Sequence, residues 1–295
     1  MRFNFRLIQF SLGIVAIAAV SCSGGNDENG NDTPGGDSLE VNTGLRIKGQ
    51  SFMVPSPVQI ATLIKNSGAL YNKGMLNATA NLSVYSDAMK RALNLGVYGA
   101  DLGYITMYEN TGDAMEYYRT VVLLGEQLKI TGSFDQSLMQ RFNDNVGRKD
   151  SILVLVGEAY RRSDQFLRES EQDNTAALIL AGGWVESMWF ALNVYKEKPE
   201  DAISVRIGEQ KSTAEGILNL LRETNKPEYK ELIKYFDELN QEFQKVEIKY
   251  TFAEPTNDEA HKVTSINGKT EVKISPSLLT SLLYKVTELR NYITK

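Results

Sequence analysis

Seventeen residues near the middle of the chain, 176–192, read Ala-Ala-Leu-Ile-Leu-Ala-Gly-Gly-Trp-Val-Glu-Ser-Met-Trp-Phe-Ala-Leu. Only Glu186 and Ser187 interrupt an otherwise apolar run, and the apolar positions leave no polar face at a 3.6-residue period. A helix of that kind, about Asn174 to Tyr195, must be enclosed on all sides. Everything else in the chain has to supply the enclosure.

The remaining sequence offers mostly helices for the purpose. Pro57 opens a short helix behind Ser56, after the break at Pro55-Ser56-Pro57. Others are expected over about Val84–Tyr108, Asp113–Lys129 and Phe134–Val146. Asp150 is a suitable N-cap for a further helix, in which Ile152, Leu155, Val156, Ala159, Tyr160, Ser163 and Phe166 recur at three- and four-residue steps. Glu200–Arg222, Pro227–Lys245 and a last helix from Ser275-Pro276 almost to Lys295 complete the set. The predicted fold class is all-α: an irregular bundle or a stack of helical hairpins, as one domain over residues 44–295.

One stretch, about 246–274, has a different period. Val246, Ile248, Tyr250 and Phe252 alternate with charged and hydroxyl residues, as in a half-buried strand. Asn267-Gly268 is a type I′ turn signal between Lys262–Ile266 and Lys269–Ile274, a register that sets Val263 opposite Val272. A small β ribbon is therefore expected before the C-terminal helix.

The N-terminus has its own logic. Arg2 and Arg6 precede an apolar run from Leu7 to Val20, too short to span ~30 Å of hydrocarbon as a helix. Ala19-Val20-Ser21-Cys22 then resembles a bacterial lipobox, and Cys22 is the sole cysteine. Residues 1–21 are expected to be a lipoprotein signal peptide, with Cys22 lipidated. Residues 22–43, rich in Gly, Asn and Asp, form a flexible acidic tether. Within it, Asp37-Ser38-Leu39 resembles a short O-glycosylation signal, which makes Ser38 a candidate acceptor. Removing the two bases of the leader and the five acids of residues 22–40 leaves 30 bases and 32 acids. A body so nearly neutral lacks the basic face of a nucleic-acid binder.

Chemistry is sparse. In the second helix Asn94, Tyr98, Asp101, Tyr104 and Tyr108 fall on one stripe, an array of amide, carboxylate and phenols able to hold a sugar or a polar peptide. Gly96, Gly99 and Gly103 would admit a close backbone. Glu186 in the apolar helix, with Trp184 nearby, is either a desolvated binding or acidic group or the partner of a buried arginine such as Arg91 or Arg119. Together Asp101 and Glu186 raise a paired-carboxylate hydrolase as the alternative, which needs carboxyls ~5–9.5 Å apart across a cleft. The lone histidine, His261, reads as a strand-end surface residue. No cofactor or metal site is expected from these residues.

Pro55-Ser56-Pro57, the segment Leu93-Asn-Leu-Gly-Val-Tyr-Gly-Ala-Asp-Leu-Gly-Tyr104 and Ala181-Gly-Gly-Trp-Val-Glu186 resemble a helical lipoprotein family of Bacteroidetes-type bacteria. The resemblance implies fold and anchorage and assigns no activity. The expectation is a lipid-anchored outer-membrane protein, non-enzymatic, that binds or scaffolds an envelope protein or a glycan.

Overall fold

The computed structural model describes residues 44–47, 50–53, 57–130, 136–145, 148–170, 172–252, 256–258, 263–265 and 269–295, within a compact unit of Val41–Lys295. Cys22, Ser38, His261 and the Asn267-Gly268 pair lie outside the described residues.

Among the described residues ten α-helices carry the fold: α1 Pro57–Asn66, α2 Ala88–Met107, α3 Thr111–Gln127, α4 Gln136–Asn145, α5 Lys149–Glu169, α6 Asp173–Glu197, α7 Asp201–Gly208, α8 Lys211–Thr224, α9 Lys230–Phe243 and α10 Pro276–Thr294. The all-α reading stands. Caps explain several starts: Asp87 accepts the amide of Lys90, Asn110 that of Asp113, and Ser275 that of Leu278. Where one helix was expected over Glu200–Arg222 there are two. Gly208 ends α7, and Gln210, in the break before α8, is buried and accepts Trp184 Nε1 at 3.2 Å.

Helix α6 is the axle. It packs against α1, α2, α5, α7, α8 and α10, and 78% of its most apolar window is buried, so a helix long enough to cross a membrane serves as a core element instead. Its closest neighbour is α2, and glycine sets the separation. A Cβ on Gly96 would stand 2.0 Å from the Ile179 carbonyl oxygen, and one on Gly182 would stand 1.9 Å from that of Leu93. Only hydrogen fits at either place, so the two backbones touch directly. Toward the periphery, Arg141 of α4 reaches Glu158 of α5 at 2.9 Å.

Three antiparallel strand pairs accompany the helices. β1 (Gly44–Ile47) pairs with β2 (Gln50–Met53), a hairpin absent from the sequence reading. β3 (Glu247–Thr251) pairs with β6 (Lys269–Lys273), while β4 (Thr256–Asp258) and β5 (Val263–Ser265) pair inside them. The ribbon is present, but its register corrects the expectation. Val263 faces Asp258, and Val272 faces Ile248. The longer ladder matches Glu247 with Lys273, Lys249 with Glu271 and Ile248 with Val272, cross-strand pairs that a two-residue turn at 267–268 would forfeit. The strand is not half-buried either: Val246 is buried, but every residue of β3 is exposed.

Candidate functional site

The polar stripe of α2 is real as geometry and lies inside the molecule. Asn94, Tyr98, Asp101 and Tyr104 are all buried, and Tyr108 is half-buried. What covers them is the chain's own irregular segment between α1 and α2. Tyr108 Oη donates to the Ala69 carbonyl at 2.7 Å, and Tyr104 Oη accepts the Asn72 amide at 3.0 Å. Asp101 Oδ2 accepts the Asn77 amide at 3.3 Å, and Tyr98 Oη donates to the Ala78 carbonyl at 2.8 Å. Asn94 takes the Asn77 side chain on its Oδ1 at 3.2 Å, while its Nδ2 reaches the Ile293 carbonyl at 2.9 Å. From α3, Tyr117 adds a bond to the Asn77 carbonyl at 3.0 Å. The stripe does bind a polar peptide, and the peptide is residues 69–78 of the same chain.

Ring contacts back this strap. Tyr104 stacks on Phe190 at a centroid separation of 4.7 Å, with Tyr108 at 5.0 Å and Tyr71 at 5.6 Å. Offset pairs of this kind add ~0.5–1.5 kcal/mol each beyond area burial. Lys73 and Tyr71 then clamp the strap to α3 through Asp113, at 2.5 and 2.6 Å.

Glu186 is fully buried and has an arginine, though neither Arg91 nor Arg119. The partner is Arg290 of α10, whose Nε and Nη2 bond the two carboxylate oxygens at 2.6 and 2.7 Å. Nη2 also donates to the Met75 carbonyl at 3.1 Å, which Trp189 Nε1 meets at 3.0 Å, and the guanidinium lies 4.8 Å from the Trp189 ring centre. A two-pronged arginine fork is the geometry that makes a buried carboxylate tolerable. Burial alone would lower the guanidinium's pKa, but the paired Glu186 outweighs it and the group stays charged.

Asp101 completes the cluster. Burial, then the charge of Glu186, pushes its pKa well above the usual carboxylate range, against the opposing pull of Arg290. Its Oδ1 meets no N–H or O–H donor among the described residues. Glu186 lies near enough for its charge to raise the Asp101 carboxyl further, and two carboxyls can share a hydrogen bond only through a proton on one of them. The centre is thus two carboxyls and an arginine, in which burial and Glu186 bias Asp101 toward its protonated form against the pull of Arg290. Tyr98 and Tyr117, also buried, are pushed up by burial and remain phenols.

Trp184 belongs elsewhere. Two residues from Glu186 on a helix means roughly 200° of rotation, and its ring sits near Phe236 and Phe243 of α9, at 6.2 and 5.9 Å. Sequence reasoning missed Asn77, Arg290 and Tyr85, whose hydroxyl accepts the Asn77 side-chain amide at 2.9 Å. The signal for Arg290 was its place one turn before the end of a helix otherwise apolar on the same face.

No described cleft opens on the carboxyl pair. A cavity of about 50 Å³ lies between α2, α3, α4, α5 and α6, lined by apolar groups including Leu95, Leu102, Phe142 and Leu155. It is small beside the ~150 Å³ that admits benzene in an engineered core. Among the described residues there is no group of three or more His, Cys, Asp or Glu side chains placed to hold a metal. No family model, curated protein or solved structure matches this chain.

Proposed function

We propose that the chain is a lipid-anchored module of the bacterial cell envelope, held at the outer membrane through Cys22, whose helical body binds or scaffolds a protein or glycan partner without catalysing a reaction. The observation that carries the non-catalytic part is the state of Asp101 and Glu186. Both are completely buried, and the latter is committed to Arg290 at 2.6 and 2.7 Å. A hydrolase using paired carboxylates needs them beside a cleft that admits substrate and water. Here the position substrate would take is filled by residues 75–78 of the chain itself. The partner must therefore use the outer surface, since the tyrosine stripe is already engaged.

Anchorage rests on the leader, the single cysteine at its end and the glycine- and asparagine-rich tether. Intact mass of the protein isolated from native membranes tests it. The expected product starts at Cys22, carries acyl chains and partitions into detergent, and Cys22→Ala abolishes both acyl mass and partitioning. A native product that retains residues 1–21, or that begins at Cys22 unmodified, contradicts the proposal.

A further inference from the structure

The ribbon carries an apolar face whose outer part stays exposed among the described residues. Val246, Ile248, Tyr250 and Phe252 point to one side of it, by the two-residue alternation of a strand. Their exposure climbs outward: 2%, 42%, 62% and 70%. The inner end is seated on the helical body, where Val272, opposite Ile248, packs over Gly208 of α7 and Lys211 at the start of α8 donates to the Val246 carbonyl at 2.9 Å. Further out, Tyr250 and Phe252 are exposed, before the chain goes on to the β4–β5 pair. Other large exposed apolar residues, such as Leu70, Leu123, Val154 and Tyr284, sit on separate elements, and among the described residues only the ribbon aligns three on one face. Its opposite face pairs Glu247 with Lys273 and Lys249 with Glu271, the pattern of a surface kept in water.

We infer that this face, led by Tyr250 and Phe252, seats in the interfacial zone of a phospholipid bilayer as a second, non-covalent membrane contact. Two exposed aromatic side chains in line on one face of the β3–β6 pair suit the headgroup boundary, where a ring is half-wet. The position on the body agrees. The hairpin β1–β2, into which the tether leads, packs on α6 and α8, and α8 is the helix whose first residue holds the ribbon's base. By composition alone, a Gly/Asn-rich segment of the length of residues 22–43 would span ~25 Å root-mean-square, so a body anchored through Cys22 would be kept near the surface. This inference rests on the anchorage reading for its biological setting, though not for its measurement.

The test is vesicle co-sedimentation of the chain from residue 22 onward with Cys22→Ser, so that no acyl group contributes; the compact unit Val41–Lys295 is retained whole. The vesicles are phosphatidylethanolamine with phosphatidylglycerol. The parent is expected to bind, and Tyr250→Ser with Phe252→Ser to weaken binding about tenfold or more, as loss of two interfacial aromatics requires. Because both residues are exposed, the variant should keep the parent's thermal midpoint, which is checked alongside. Equal binding by parent and variant, or no binding by either, overturns the inference. So does a parent that elutes as a dimer which the two substitutions dissociate, since the face then belongs to a second copy. Acylation is read separately by mass. An unacylated native product leaves the ribbon contact standing, whereas an acylated one with an indifferent ribbon leaves only the anchor.

Discussion

Arg290 holds Glu186 with two prongs of its guanidinium, at 2.6 and 2.7 Å, and so fastens the C-terminal helix α10 to the central helix α6. The same guanidinium bonds the Met75 carbonyl, which brings the strap of residues 69–78 into the lock. Three parts of the chain distant in sequence meet at one charge pair that is 0% exposed on the Glu186 side and 12% on the Arg290 side.

Removing one member should be costly and removing both should not. Glu186→Gln takes away the arginine's two-pronged counter-charge and leaves only Asp101 to offset it, and the expected loss is up to about 3–5 kcal/mol. Glu186→Leu combined with Arg290→Met removes both charges, and urea unfolding should show most of that loss recovered. A double variant as unstable as the single one would show that the pair's polar contacts, rather than the stranded charge, carry the cost.

Glycines in the helices should respond with opposite signs. Gly96→Ala and Gly182→Ala force a methyl into backbone at 2.0 and 1.9 Å and should each cost about 1–3 kcal/mol or more. Gly157 in α5 is exposed with nothing within 4 Å of an added Cβ. Gly157→Ala should therefore raise stability by about 0.5–1 kcal/mol through helix propensity alone. Thermal unfolding of the three variants checks the ordering.

The seat of the ribbon can be tested by compensation. A Cβ on Gly208 would come within 2.4 Å of Val272 Cγ1, a side-chain atom that can be removed. Gly208→Ala should destabilise by about 1–3 kcal/mol, and adding Val272→Ala should return part of it. Additive losses in the double variant would mean the two residues are not in contact.

Much of this was legible in the sequence, and the limits have physical reasons. The 176–192 run announced a central helix because no polar face was left to meet water. The three- and four-residue steps from Asn94 to Tyr108 gave a true stripe. What periodicity does not carry is which element lies over a face. Segment 69–78 has no helical or strand period, so nothing marked it as the stripe's occupant, although its backbone amides and carbonyls meet nearly every polar tip. For Glu186 the sequence leaves open a desolvated binding or acidic group and a buried arginine's partner, and the structure gives it Arg290. Its identity depended on helix order in space, and Arg290 enters only because α10 returns to α6. In the ribbon, the Asn-Gly signal was outweighed by a longer ladder of matched charges.

The most direct test of the lock is the pH dependence of stability in the parent and in Asp101→Asn. Burial and the neighbouring Glu186 raise the folded-state pKa of Asp101, so the native chain keeps a proton that the unfolded chain, with a carboxyl near ~3.9, gives up. The unfolded state then binds fewer protons, and this group's contribution to stability must fall as pH rises above about 4. Asparagine offers Glu186 an N–H in place of that O–H and does not titrate. Measured by urea unfolding between pH 4.5 and 8, the difference between variant and parent should grow in the variant's favour with rising pH. A difference that stays flat, or that turns against the variant as pH rises, would mean that Asp101 is ionised in the native protein and that the proton-bridged carboxyl pair does not exist.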